Sequence, residues 1–342
     1  MQQEIKILRI TAELYPAYYN MVQQTTWGNP MLPTTYNNKL WGDVLLLDNQ
    51  MIGGWVGTTR GDIPVARFIA KSIYFDSYPV FINAEYEATY KHLFMDTIKQ
   101  HANADKIVML HLTHWVRGHE MTMDKQENNA TFTTHLQTTE ADLWQQVESK
   151  QRNCIRKAEK SGVEVLALQG DAALTYLGDF QQLRQRTQQH AIKKHAQASM
   201  LLKSDQYFTE LFQHPKTTLL VGKVEEQVAA VALMIQSGNT VYYYSGGSDY
   251  ELNKKYCCSA FVIWKSLLHY NDLGLSIFDM GGVPVQPTKD HPAYGVYAFK
   301  RSFGGKYHEF DGGQIIIKPW KYKLLQFLLS QRKLLRILSK KL

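Results

Sequence analysis

Cysteine is scarce in this chain of 342 residues, which contains three, two of them the neighbours Cys257 and Cys258. Three cysteines cannot form a disulfide framework, and no CxxC pair or Cys/His quartet with zinc spacing occurs. Among the 12 histidines, His111 and His114 share a predicted strand, but residues three apart in a strand face opposite sides. The sequence therefore predicts a reducing, cytosolic compartment and no metal site.

Long apolar runs are absent as well. The longest, around residues 228–235, has about nine residues, whereas a helix needs about 20 to cross a bilayer. Near the start of the chain, Glu4, Lys6 and Arg9 interrupt the apolar residues, so no signal-peptide core is predicted. The patterns HExxH, Walker A and GxSxG do not occur, which leaves metalloprotease, NTPase and serine-hydrolase functions without support.

The composition is that of an ordinary folded protein, with 44% hydrophobic and 20% charged residues. At about 150 residues per domain, the length favours two domains. The net charge of +7 and a pI near 9.0 favour an anionic partner, which could be nucleic acid, a phosphorylated metabolite or an anionic membrane surface. Composition does not choose among these three.

One pattern of predicted elements occurs twice, at 43–112 and at 217–280. Each copy has two apolar runs joined by a polar turn, a third strand, a helix and a last strand. In the first copy the strands are predicted at 44–47, 51–58, 68–75 and 106–112. In the second, the strands are predicted at 218–224, 228–236, 240–245 and 276–280, with the helix at 256–273. Two such units of similar length predict an internal duplication.

A helix with clear end signals lies between the two copies. Thr139 and Asp142 form a capping box, and Gly162 suits the first position after the helix. Arg152 and Arg156 lie four residues apart on one basic stripe. Such a stripe is either a solvated helix face or a surface for an anion. A second helix is predicted at 172–187, followed by a polar, mobile connection at 190–195.

Four motifs in the second half give a resemblance to a known family. Their order and spacing, over roughly residues 140–310, resemble the Fem family of peptidoglycan interpeptide-bridge aminoacyltransferases, within the GNAT superfamily of acyl-transfer enzymes. The motifs are QRNCIRKA at 151–158, YYYSGGS at 242–248, FDMGG at 278–282 and YAFKRSFGG at 297–305.

The resemblance implies an α+β fold of tandem GNAT-like (acyl-CoA N-acyltransferase) domains, with mixed, mainly antiparallel sheets flanked by helices. We expect an N-terminal domain at 1–138, a C-terminal domain at 139–318 and a basic amphipathic helix at 319–342. The implied function is the transfer of an aminoacyl group from aminoacyl-tRNA to the peptide amine of a peptidoglycan precursor, with no cofactor.

The donor could differ from the one that the family uses. Acetyl-CoA enzymes of the superfamily hold the pyrophosphate in a glycine-rich loop at a helix N-terminus, and residues 248–255, before the predicted helix, contain no such loop. Fem-like enzymes also lack it. One alternative is a CoA-dependent N-acyltransferase acting on an amino-sugar or lipid-linked cell-envelope glycan. Another is a non-catalytic protein that binds nucleic acid or membranes.

Candidate catalytic residues follow from the motifs. The resemblance places Phe299 and Lys300 near the donor carbonyl, where an ammonium group stabilises negative charge; otherwise Lys300 is an exposed lysine in a strand. Asp279, at a strand end, could orient the substrate amine or accept its proton, or only cap its own turn. Tyr242 and Tyr244 point to one side of a strand and line a substrate cleft or belong to the core.

Cations for an acceptor diphosphate are also present. The acceptor could be a UDP-linked muramyl peptide or a lipid-linked precursor. If it is the UDP-linked peptide, the candidates to bind its diphosphate are Lys39, Arg152, Arg156 and Lys193. The backbone of tRNA could use the same basic surface.

The last 24 residues, from Pro319 onward, contain no acidic residue. A helix there would place leucines and a phenylalanine on one arc and basic residues on the other side. Such a helix either lies in the interface of an anionic membrane or docks on its own domain. The sequence thus predicts a cytoplasmic protein, free or held at the inner membrane face. The apolar positions are Leu324, Phe327, Leu328, Leu335, Leu338 and Leu342.

Overall fold

A computed structural model describes residues 4–28, 40–60, 67–112, 122–193 and 205–338. Through the end of the first predicted repeat and the strand after it, the elements are β1 (Ile5–Arg9), α1 (Tyr15–Gln23), β2 (Leu40–Leu47), β3 (Gln50–Arg60), α2 (Arg67–Ala70), β4 (Ser72–Phe75), β5 (Val80–Phe81), α3 (Ala84–Ala104), β6 (Met109–Leu112) and β7 (Lys125–His135). The remaining elements are α4 (Glu140–Gln146), α5 (Ser149–Lys160), β8 (Glu164–Leu168), α6 (Gly170–Leu174), α7 (Leu177–Lys193), α8 (Asp205–Gln213), β9 (Thr217–Val224), β10 (Gln227–Ser237), β11 (Thr240–Ser248), α9 (Tyr250–Tyr256), α10 (Cys258–Asp272), β12 (Ile277–Asp279), α11 (Tyr294–Arg301), β13 (Lys306–Ile316) and α12 (Pro319–Leu338).

The chain forms two compact units that do not follow chain order. The first takes the described residues within Met1–Thr25, Asn37–Asn128 and Asp311–Leu342, and the second those within Thr26–Tyr36 and Asn129–Phe310. The domain boundaries predicted at 138/139 and 318/319 do not coincide with the limits of these units. The prediction assumed that each domain is one continuous segment of the chain.

In the first unit the strand order is β1-β2-β3-β4-β6-β13, with β5 on β3. The strand pairs are antiparallel except β4 with β6, which is parallel. Trp55 lies in the core, stacked on Phe75 with ring centroids 3.7 Å apart. Its indole N–H donates to the Ser77 carbonyl over 2.6 Å, so the buried polar atom has a partner.

In the second unit the order is β7-β12-β11-β10-β9-β8, and only β11 with β12 is parallel. Helices cover both faces of this sheet. The core on one face includes residues of α5 and α10, and the core on the other includes residues of α6, α7 and α8. There Phe180 packs edge-on against Phe208 and Phe212.

The predicted duplication is confirmed. An antiparallel hairpin, a third antiparallel strand, a helix and a parallel last strand appear as β2-β3-β4-α3-β6 and again as β9-β10-β11-α10-β12. The mixed α+β fold is therefore as expected. No helix among the described ranges combines the length and the apolar character needed to cross a bilayer.

Three predicted helices are broken. The helix predicted at 172–187 is divided at residues 175–176 between α6 and α7. The Thr139 hydroxyl accepts from the Asp142 N–H as the capping box requires, and Gly162 has a φ of +70°. Between them, however, Val147 is extended and separates α4 from α5. The helix predicted at 256–273 likewise divides at Cys257, whose φ of 58° is left-handed.

Two other segments differ from their predictions. The strand predicted at 68–75 is α2 followed by β4, and the predicted connection at 190–195 is helical as far as Lys193. The strand prediction at 68–75 is wrong in its first part because residues of high strand propensity also form the one-turn helix α2. His114 lies outside the described residues.

Candidate active site

Lys300 lies on α11, so its predicted place in a strand is wrong. The side chain is buried, with only 9% of the residue exposed. Its Nζ donates to the Gly282 carbonyl over 3.1 Å and lies 5.5 Å from the centroid of the Tyr243 ring. An amine held in this way is unlike an ordinary surface lysine.

The environment of Lys300 changes its acidity. Burial lowers the pKa of the amine to about 8, and the nearby Asp279 carboxylate opposes that shift. The group is therefore still mainly protonated near neutral pH, yet it loses its proton far more easily than an exposed lysine. A strongly shifted pKa with a defined charge partner marks a functional-site candidate.

Asp279 ends β12 and is 1% exposed. Its Oδ1 accepts from the Thr131 hydroxyl over 2.6 Å and from the Gly281 N–H over 2.7 Å. Gly281 has a φ of +70°, which side-chain-bearing residues rarely adopt, so glycine suits this turn. The Asp279 carboxylate therefore fixes the loop that contains Gly282, and the Gly282 carbonyl accepts the hydrogen bond from Lys300.

Tyr242 and Tyr243 on β11 lie on opposite sides of the strand near these groups. Tyr242 is directly opposite Asp279 in the β11–β12 pair, is fully buried, and donates to the Trp27 carbonyl. Burial and the Asp279 charge raise the pKa of Tyr242 well above its usual value. Burial raises the pKa of Tyr243 to about 12, so both phenols are neutral at physiological pH.

Tyr244 is the extra residue of a β-bulge, since Tyr243 opposes Met234 and Ser245 opposes Leu233. Its hydroxyl lies 2.5 Å from that of Tyr207 on α8. Its ring packs on the core of the sheet face that α6, α7 and α8 cover. Bulges are common beside active sites because they redirect side chains. Of the two tyrosines predicted to line a cleft, the structure places Tyr242 beside Asp279 and Tyr244 against α8.

The two glycines after Ser245 permit close approach at the end of β11. A Cβ on Gly246 would overlap the Tyr243 side chain. A Cβ on Gly247 would lie 2.5 Å from the backbone carbon of Leu183, where α7 crosses the strand. This packing explains why the predicted strand-end motif contains two glycines in succession.

Arg184 on α7 is a buried cation that the sequence analysis missed. It is 7% exposed, and its Nε donates to the Ser245 hydroxyl over 2.8 Å. The guanidinium carbon lies 5.2 Å from the Phe180 centroid and 4.5 Å from that of Phe208. In sequence, an arginine in an amphipathic helix looks like a surface residue, and Phe208, one of its two aromatic neighbours, comes from a separate helix, α8.

The predicted diphosphate ligands occupy different positions. Arg152 donates to the Trp144 and Gln145 carbonyls over 3.4 and 3.3 Å and so caps the end of α4. Arg156 is exposed, with its guanidinium carbon 5.2 Å from the Trp144 centroid. Lys193 is the last residue of α7, and Lys39 lies outside the described residues.

Phe299, predicted with Lys300, is half-buried and packs edge-on against Phe303 with centroids 5.3 Å apart. At the end of the same helix, Arg301 forms an ion pair of 3.1 Å with Glu148. Because Glu148 is the residue before α5, this pair joins the end of α11 to the start of the basic helix.

The helix N-termini near β11 already have their amides occupied. Asp249 caps α9, where its carboxylate accepts from the N–H groups of Glu251 and Leu252. The side-chain oxygen of Asn253 accepts from the Ser259 N–H in the first turn of α10 over 2.8 Å. A phosphate group at either terminus would have to displace these side chains.

An open cleft of about 700 Å³ lies beside α11, on the side of Tyr294, Tyr297 and Arg301. Four aromatic residues and two cations are among the residues that line it. Its lining includes Phe132, Lys289, Tyr294, Tyr297, Arg301 and Tyr307.

The sequence model of the FemAB family matches residues 189–330. Over this region, the chain is similar to the FemAB family. The matched region contains Lys300, Asp279 and Tyr242, whereas Arg152 and Arg156 precede it. With this match, the chain is identified as an acyltransferase.

Solved structures show the same fold across nearly the whole chain. The crystal structure of FemX has a TM-score of 0.73 at 15% identity and covers 93% of this chain and 99% of its own. L-PGS from Bacillus licheniformis has a TM-score of 0.58 at 10% identity, covering 94% and 97%. A conserved protein of unknown function from Bacteroides thetaiotaomicron VPI-5482 has a TM-score of 0.54 at 11% identity, covering 90% and 99%. The search of curated protein sequences gave no match to this chain.

Proposed function

We propose that the protein transfers an aminoacyl group from aminoacyl-tRNA to an amine on the peptide of a peptidoglycan precursor. The buried Lys300 amine carries this proposal, because it has a fixed hydrogen bond, a carboxylate nearby and a lowered pKa. Its position in the FemAB-matched region supports the choice of reaction.

The reaction needs a stabilised oxyanion. The acceptor amine attacks the ester carbonyl of the donor, a C–N bond forms and the C–O bond to the ribose breaks. The amine proton leaves, and the ribose oxygen gains one. Negative charge develops on the carbonyl oxygen, where the Lys300 ammonium would donate a hydrogen bond. The Gly282 carbonyl already orients the Nζ, so little reorganisation is needed.

Asp279 suits a positioning role better than that of a proton acceptor. It is 1% exposed, and its Oδ1 is already engaged by Thr131 and Gly281. In that role it holds the Gly281–Gly282 turn in place and supplies negative charge that keeps Lys300 protonated. The sequence left both roles open, and the hydrogen bonds favour the positioning role.

The choice of tRNA over CoA rests on the helix termini. Asp249 and Asn253 occupy the amides of α9 and α10 that could otherwise bind a pyrophosphate. A carboxylate at the α9 terminus also repels phosphate. The CoA-dependent alternative therefore has less support. The exposed basic side of α5, with Arg156, Lys157 and Lys160, suits an RNA backbone.

The test is the mass of the product. The purified chain is incubated with UDP-muramyl pentapeptide and either a pool of aminoacylated tRNA or acetyl-CoA, and the peptide is analysed by mass spectrometry. We expect the precursor to gain the mass of one aminoacyl residue, with charged tRNA only. A gain of an acetyl mass with acetyl-CoA, and none with tRNA, would overturn the proposal.

A further inference from the structure

The apolar arc of α12 faces solvent. It comprises Trp320, Leu324, Phe327 and Leu328, which at 100° per residue fall on one side of the helix. These residues are 58%, 38%, 59% and 42% exposed. Four large hydrophobic side chains exposed together on one helix form a patch of the kind that marks an interaction site.

The start of α12 is held to its unit through a different side. Tyr322 is 5% exposed, packs with Val108 and Met109, and donates to the Gln314 side chain over 2.7 Å. The sequence left open whether the apolar arc docks on its own domain. Within the arc, Trp320 contacts Phe68 of α2, whereas Leu324, Phe327 and Leu328 stay exposed. The packing into the core falls to Tyr322 instead.

A neighbouring element extends the patch. Phe68 on α2 is 60% exposed, and its ring lies 5.8 Å from that of Trp320. The Lys321 ammonium lies 3.8 Å from the Phe68 centroid. Lys321 itself is 6% exposed, so the two rings cover it, and the rings are the part of this cluster that a partner would contact.

The charge of the segment is one-sided. From Pro319 to Leu342 it has no acidic residue and seven basic ones, which are Lys321, Lys323, Arg332, Lys333, Arg336, Lys340 and Lys341. Beyond Leu328, the sequence has apolar residues at the same helical spacing, which are Leu334, Leu335 and Leu338. The chemistry that matches both an apolar arc and flanking cations is a bilayer surface with anionic headgroups.

We propose that α12 binds the interface of an anionic lipid membrane, with the apolar arc inserted among the acyl chains and the basic residues at the headgroups. RNA would be attracted by the cations but would leave the arc in water. This inference does not depend on the donor or acceptor of the transfer reaction.

The test is flotation of the full chain with vesicles of phosphatidylcholine, alone or mixed with phosphatidylglycerol. We expect binding to the anionic vesicles and about tenfold or more weaker binding to phosphatidylcholine alone. The double variant Phe327→Ser/Leu328→Ser should lose about tenfold or more of the affinity. Leu273→Ser, which removes a leucine 58% exposed at the end of α10, should bind like the wild type.

Three results would overturn the proposal. The first is no binding of the wild type to anionic vesicles, and the second is equal binding by the double variant. The third is a wild-type dimer in gel filtration that the double variant loses, without vesicle binding by either. Because all three positions are exposed, equal melting temperatures should show that the variants fold. Transfer to a soluble acceptor should persist in the double variant, which separates this test from that of the catalytic proposal.

Discussion

The buried amine of Lys300 should make the free energy of unfolding depend on pH in a defined way. Its pKa is lowered from 10.5 to about 8 in the folded protein. Between these two values the unfolded chain binds more protons than the folded one, so stability increases with pH. Below pH 8 the cost of burying the charge is fully present, and it disappears as pH approaches 10.5.

The perturbation is Lys300→Met, which removes the titrating amine and keeps most of the side-chain volume. A shift from 10.5 to about 8 corresponds to a cost of roughly 3 kcal/mol at pH 7, falling to roughly 1 kcal/mol at pH 9.5. The stability of the wild type relative to the variant should therefore rise by about 2 kcal/mol over this interval. We predict only how the stability difference between the two proteins changes with pH. Its size at any single pH also includes the loss of the hydrogen bond to Gly282.

The assay is urea unfolding of both proteins at several pH values from 7 to 9.5. Other titrating groups, such as Cys257 and Cys258, whose pKa values burial raises to about 11, occur in both proteins and cancel in the difference. Lys99→Met, at an exposed position on α3, serves as the control for loss of a lysine that is not buried. A difference for Lys300→Met that does not change with pH would refute the burial of a charged amine.

The remaining predictions concern the carboxylate and the glycine motif. Asp279→Asn removes the charge that supports the Lys300 ammonium, so an NMR titration of that amine should give a pKa below about 8; an unchanged value would contradict the coupling. Gly247→Ala should lower the unfolding free energy by about 1–3 kcal/mol, because its Cβ would meet the Leu183 backbone. Gly178→Ala, with open space around it on α7, should be neutral or stabilising by up to about 1 kcal/mol in the same urea assay. An equal effect of the two glycine substitutions would contradict the proposed close approach.

Sequence patterns correctly predicted the strands and helix ends that depend on residues close together in the chain. Alternating apolar runs with polar turns identified both repeats, and the Thr139 capping box marked a true helix start. The break at Cys257 was not predictable, since a left-handed residue other than glycine or asparagine is set by packing on both sides. The alternative in which Lys300 is an exposed lysine of a strand also failed, because the residue lies on the short helix α11 and is buried.

The site depends on contacts between distant parts of the chain. Thr131, which holds Asp279, is 148 residues away and lies on a strand, β7, that the sequence analysis did not assign. Tyr243 was passed over in favour of its neighbours Tyr242 and Tyr244, because alternation alone does not show which face of β11 the Lys300 amine approaches. Family resemblance supplied the motif residues, and the fold supplied their partners.

The central claim is that the Lys300 ammonium stabilises the charge that develops during acyl transfer. The most direct measurement is the single-turnover rate of aminoacyl transfer by wild type, Lys300→Met and Lys99→Met at neutral pH. The account predicts a loss of about a hundredfold or more for Lys300→Met, as for removal of an oxyanion donor, and wild-type rates for Lys99→Met. A Lys300→Met protein that folds and transfers at the wild-type rate would contradict it.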